Sequence, residues 1–190
     1  MIHQRIENAL TTCQKHVMGL DPTDVNHMEM QTYLVAGLVV LIVSEYEEYL
    51  EELFVKRAEM CGDLHATNFI RATLSQKFRS PDLSKINETL NRFDATCKKN
   101  FLGTIENSPA HAAWDSIMKA RHAVVHKKGN LNLTFQELIS NYQLTKDIIQ
   151  HVEASLGTNA PSGNSDSIVS RSTMVLTDDR DITGSRLQPT

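Results

Sequence analysis

The chain has 190 residues, of which 41% are hydrophobic and 22% charged, and a formal net charge of −4. That is enough chain for one domain with a real core, and the composition is that of a soluble globular protein rather than a disordered or fibrous one. Cys13, Cys61 and Cys97 are odd in number and share no CxxC or CxxH spacing, which argues against a disulfide framework or a zinc cage and fits reduced thiols in the cytoplasm.

The N-terminus reads as an amphipathic helix rather than a secretory signal. The longest apolar run, Tyr33 to Val43, is too short to span a bilayer, so no membrane association is expected. Charge is unevenly spread. Residues 45–55 carry five acids and no base, whereas residues 56–128 carry thirteen bases against seven acids. A basic middle inside an acidic protein is compatible with a local anion-binding surface, and many solvated helix faces look the same.

A first helix is expected from about Ile2 to Met18, with Ile6, Leu10 and Val17 inward. Gly19 to Asp24, with Asp21 and Pro22, supplies turn chemistry. A long second helix follows, from Val25 or Asn26 to about Cys61. Its first half is apolar nearly all round and reads as the central buried helix; its second half carries Glu45, Glu47, Glu48, Glu51 and Glu52. Glu45 ends the apolar run and shares a four-residue register with Leu34, Leu38, Leu41 and Tyr49, so it wants a partner in the fold.

Gly62 and Asp63 mark a turn before a helix over His65–Phe78. Ser80-Pro81-Asp82 reads as a helix start, with Ser as N-cap, opening a segment that runs to about Cys97 and stops at Lys98-Lys99-Asn100. Ser108-Pro109 repeats that signal and launches a helix through Trp114, Ile117, Met118, Val124 and Val125 to Gly129. After a brief extended link at Leu131 and Leu133, Thr134-Phe135-Gln136-Glu137 is a capping box for a last helix ending at Gly157. The fold expected is an all-α bundle over residues 1–157, built on the long second helix, followed by a mostly disordered Ser/Thr/Asp/Gly-rich tail over residues 158–190.

Arg121 falls in register with the apolar stripe of its helix, and a guanidinium there needs an anion. Two partners fit: a structural glutamate, with Glu45 the natural candidate and Glu48 and Glu52 near the same face, or a phosphate met jointly with His122 and His126. On a straight helix, positions five apart diverge by about 140°. Arg121 and His126 therefore converge on one ligand only if the last turn loosens or two chains bring their helices together. The residue types suit metal-free RNA cleavage, in which Arg stabilises charge on the phosphate and His moves a proton. His122 and His126 also have the i,i+4 spacing of metal ligands, but no Glu lies between them and no third ligand is evident, so no metal and no cofactor is expected.

A late Arg-polar-x-x-x-His motif, here Arg121-His122-Ala123-Val124-Val125-His126, behind a long acidic-ended second helix resembles the HEPN superfamily. The glutamate-rich segment around Ser44–Phe54 and the stretch Leu90–Phe101 are most similar to RiboL-PSP-type HEPN proteins, over roughly Met28 to Leu156. The resemblance implies a metal-independent endoribonuclease, a toxin or effector in prokaryotic defence, acting as a homodimer with its site at the interface and governed by an antitoxin or sensor protein.

Carried over by position, Arg121 and His126 are the catalytic pair, His122 the polar support and Glu45 the acidic residue of the second helix, with Lys119, Lys127 and Lys128 placed to hold RNA. Asn is commoner than His at position 122 of such a motif. Lys128 stands where the adenylylated toxin branch has Tyr, which argues against that mode of silencing. The competing reading is a non-catalytic dimerisation or RNA-binding module of the same shape.

Overall fold

The computed structural model describes residues 2–21, 23–126 and 131–157. These form seven helices: α1 (Ile2–Val17), α2 (Val25–Glu59), α3 (Leu64–Lys77), α4 (Leu83–Phe93), α5 (Ala95–Ile105), α6 (Pro109–His126) and α7 (Phe135–Leu156). There is no strand among the described residues. The expected tail falls on residues 158–190, outside the described residues.

α2 to α7 each begin where the chain offers an acceptor for the orphan N–H groups of a helix start. Asp24, Asp63, Asp82 and Asp94 cap α2 to α5, and Thr134 with Glu137 closes the capping box of α7. The Ser108 hydroxyl accepts from the His111 N–H at the start of α6. Gly157 ends α7 in the left-handed region, φ 66°, as a C-terminal glycine does.

Two expectations about this stretch are corrected. The cap of α4 is Asp82 rather than Ser80. Nor does the chain stop at Lys98-Lys99-Asn100: Asp94 closes α4 and caps α5, which runs through those residues to bury Phe101 and Ile105.

The core lies between α2, α6 and α7, with Val39, Ile42, Tyr46, Leu50, Phe54, Trp114, Ile117, Leu138, Tyr142, Ile149 and Val152 almost fully enclosed. Tyr46 stacks on Trp114 with ring centroids 5.1 Å apart. Its hydroxyl donates to Thr145 Oγ1 over 2.8 Å, because that hydroxyl is itself spent on the Tyr142 carbonyl. Burial pushes the Tyr46 phenol well above its ordinary pKa, so it stays neutral. At the far end of α2, Phe54 packs against Phe78 and Phe93.

The first half of α2 is not buried all round. Val35, Leu38 and Val39 face the core, but Val25, Met28, Met30, Tyr33 and Val40 are exposed, Tyr33 at 68%. By length and composition alone α2 is also apolar enough to cross a bilayer, which the uninterrupted run Tyr33–Val43 did not signal. Its inner face is nevertheless a continuous part of the domain core. What the sequence could not supply is a second layer over the outer face.

Candidate active site at the C-terminal end of α6

α6 is fixed by its first three turns. Ala110, Ala113, Trp114, Ile117 and Ala120 are buried, and the alanines let the helix approach its neighbours closely. Trp114 Nε1 donates to the Pro81 carbonyl over 2.9 Å, and Asn141 of α7 donates to Ser116 Oγ over 3.1 Å. These contacts set the direction in which the last turn, Arg121–His126, leaves the core.

Arg121 meets Glu47, not Glu45. The guanidinium Nη2 lies 4.0 Å from Glu47 Oε1, with the two side chains 25% and 24% exposed. That separation is an ion pair beyond hydrogen-bond range, so Glu47 orients Arg121 without occupying its donors. Glu47 in turn accepts from the Ser80 N–H. Ser80 holds a positive φ of 48°, uncommon for a residue with a side chain, and its amide is aimed at Glu47.

Glu45 is indeed sheltered at the end of its stripe, at 12% exposure, but its partner is Arg5 of α1. The reason is helical register. Two residues turn the side chain by about 200° at 3.6 residues per turn, so Glu45 faces α1 while Glu47 faces α6. Glu48 and Glu52 are exposed and neither meets Arg121. The signal that picks out Glu47 was present: Leu50 and Phe54, three and seven residues on, are both buried, which places Glu47 at the edge of the core face.

α6 remains α-helical through His126. The last turn does not loosen within the described residues, and Arg121 and His126 stay on different sides of one helix. His122 and His126 lie together instead, with ring centroids 4.3 Å apart and the rings inclined at 47°, both open to solvent. Lys119 is exposed and shares that face, three and seven residues before them. Lys127 and Lys128 lie outside the described residues. Among the described residues no group of three or more His, Cys, Asp or Glu side chains converges as metal ligands do.

One end of α6 thus carries an oriented, partly open guanidinium on one side and a solvent-facing imidazole pair on another. The RiboL-PSP-HEPN family model matches residues 3–157, the whole of the described helical domain save its first residue. The chain belongs to the RiboL-PSP-HEPN family. The match extends beyond the Met28–Leu156 span on which the sequence resemblance rested, and takes in α1. No curated protein and no solved structure matches the chain. Membership accords with the all-α bundle on a long second helix and points in general terms to RNA-related or nuclease function. Within this RiboL-PSP-HEPN domain the late motif falls at the exposed end of α6, with Glu47 behind its arginine.

Proposed function

We propose that the protein is a metal-independent endoribonuclease that acts as a homodimer, with Arg121 and His126 as its catalytic residues. In the proposed reaction the ribose 2′-oxygen attacks the adjacent phosphorus and the P–O5′ bond breaks. The products are a 2′,3′-cyclic phosphate and a 5′-hydroxyl end. His126 takes the proton from the 2′-hydroxyl, and the proton required by the departing 5′-oxygen comes from an imidazolium or water. Arg121 meets the charge that develops on the phosphate. His122 packs against His126 and limits its rotation, and Lys119, Lys127 and Lys128 hold the RNA backbone.

The observation that carries this reading is the state of Arg121: oriented by Glu47 at 4.0 Å, yet with its donors left for another anion beside an open histidine pair. The dimer is supported by two further features. Arg121 and His126 diverge on a helix that stays regular, so a common ligand requires groups from two chains. Tyr33 and Val40 are exposed on α2, and Val40 and Glu47, seven residues apart, share a helical face, so an unpartnered apolar surface leads directly to the site. Gly37 lies on the same face with open space around it.

The biological role we assign is that of a cytoplasmic toxin or effector in a defence system, restrained by an antitoxin or sensor protein; family membership is its support. The test is incubation of total tRNA with the wild type and with His126→Ala in the presence of EDTA. The reading expects cutting by the wild type alone. A folded, dimeric wild type that cuts no RNA and binds it unchanged would favour the non-catalytic module.

A further inference from the structure

We propose that His122 and His126 form a two-imidazole chelate for a late first-row divalent cation, with Zn²⁺ as its type, and that the bound ion switches off the activity proposed above. The binding half stands on the geometry alone; the switch half rests on the ribonuclease reading.

The two rings are four residues apart on a regular helix, both exposed, with centroids 4.3 Å apart. Two nitrogens held at zinc's preferred bond length in a tetrahedral arrangement are about 3.3 Å from each other, which small χ rotations of two solvent-facing rings supply. Two other imidazoles are engaged differently: His3 is bonded to Tyr142 and His27 to the Asp21 N–H. Neither His122 nor His126 is in a hydrogen bond or ion pair among the described residues, so ligation displaces no protein contact.

Imidazole selects zinc, nickel and copper over magnesium and calcium, which want oxygen ligands. Among the described residues no third side chain converges on the pair, so the remaining positions on the ion are assigned to water. This makes the chelate an exchangeable regulatory site and not a structural centre. Lys119 on the same face opposes a cation, but its exposed side chain is free to swing away. The consequence for function follows from the nitrogen lone pair. A His126 nitrogen that ligates an ion cannot accept the 2′-hydroxyl proton, and an ion across both rings pins them away from the phosphate.

Calorimetric titration of the full chain with ZnCl₂, without RNA, tests the site. One zinc-binding event is expected for the wild type and for His111→Gln, and its loss for His122→Gln, with MgCl₂ giving no heat. Equal zinc binding by the wild type and His122→Gln, or none by the wild type, overturns the chelate. Zinc added to wild-type protein that is cutting RNA should stop the reaction, and excess EDTA should restore it. Full cleavage at saturating zinc overturns the switch. Because calorimetry needs no turnover, failure of the chelate and failure of the ribonuclease reading remain distinguishable.

Discussion

The two halves of α6 are built in opposite ways. From Pro109 to Ala120 the helix is a core element: Trp114 is fully enclosed, stacked on Tyr46 and hydrogen-bonded to Pro81. From Arg121 to His126 it carries a partly open guanidinium, paired with Glu47, and two imidazoles that face solvent. The helix divides its labour between the two. The buried half spends apolar area and hydrogen bonds on direction, and the exposed half receives that direction at little cost to its own freedom. Disturbing one half should therefore leave the signature of the other intact.

The largest effects belong to the exposed half. Arg121→Ala and His126→Ala are each expected to lower RNA cleavage by roughly 10²–10⁴-fold, with the thermal unfolding midpoint unchanged. Cleavage rates and circular dichroism on the same samples check both parts. The buried half should answer the other way. Trp114→Ala is expected to cost about 3–5 kcal/mol of stability in a denaturant titration, through the cavity and the orphaned Pro81 carbonyl.

A sharper contrast uses Gly37→Leu. A Cβ there meets nothing within 4 Å and the position is exposed, so the monomer should gain up to about 1 kcal/mol from better helix propensity while the proposed dimer separates. Sedimentation velocity reads the second effect and thermal melting the first. Glu47→Gln keeps an acceptor for Ser80 but removes the charge behind Arg121, for an expected loss of about 1 kcal/mol, or roughly fivefold, in kcat/KM. Arg5→Ala should be the mildest. It breaks the ion pair to Glu45 that joins α1 to α2, and should cost about 1 kcal/mol of stability or less with no change in cleavage.

Much of this architecture is legible in the residues because it rests on local chemistry. Ser108-Pro109, the Thr134–Glu137 box and Gly157 announce helix ends by hydrogen-bond chemistry confined to a few residues. The features that escaped depend on information spread through space. Asp94 sits inside a segment that keeps its apolar content on both sides. Only its extended backbone, φ −164° and ψ 136°, divides α4 from α5, and the lysines after it looked like an ending.

The outer side of α2 also carries apolar residues, Val25, Met28, Met30, Tyr33 and Val40, and hydrophobic period does not say whether such a residue is covered by the same chain or by another. The acid behind Arg121 turned on a two-residue choice. Burial of Glu45 was readable, and the register of Glu47 with Leu50 and Phe54 placed it too at the core edge, but that α1 takes Glu45 and α6 takes Glu47 depends on where those helices dock.

The 2′-oxygen is the proposed nucleophile, and the cut itself can report it. An RNA oligonucleotide that the wild type cleaves should be remade with a single 2′-deoxy sugar at the cleaved position, and both versions incubated in EDTA. The expected result is cutting of the all-ribose strand to a 2′,3′-cyclic phosphate end, and no cutting at the substituted position. Cleavage of the deoxy-substituted strand at that position, or cleavage that EDTA abolishes, would contradict a mechanism in which Arg121 and His126 drive attack by the 2′-oxygen.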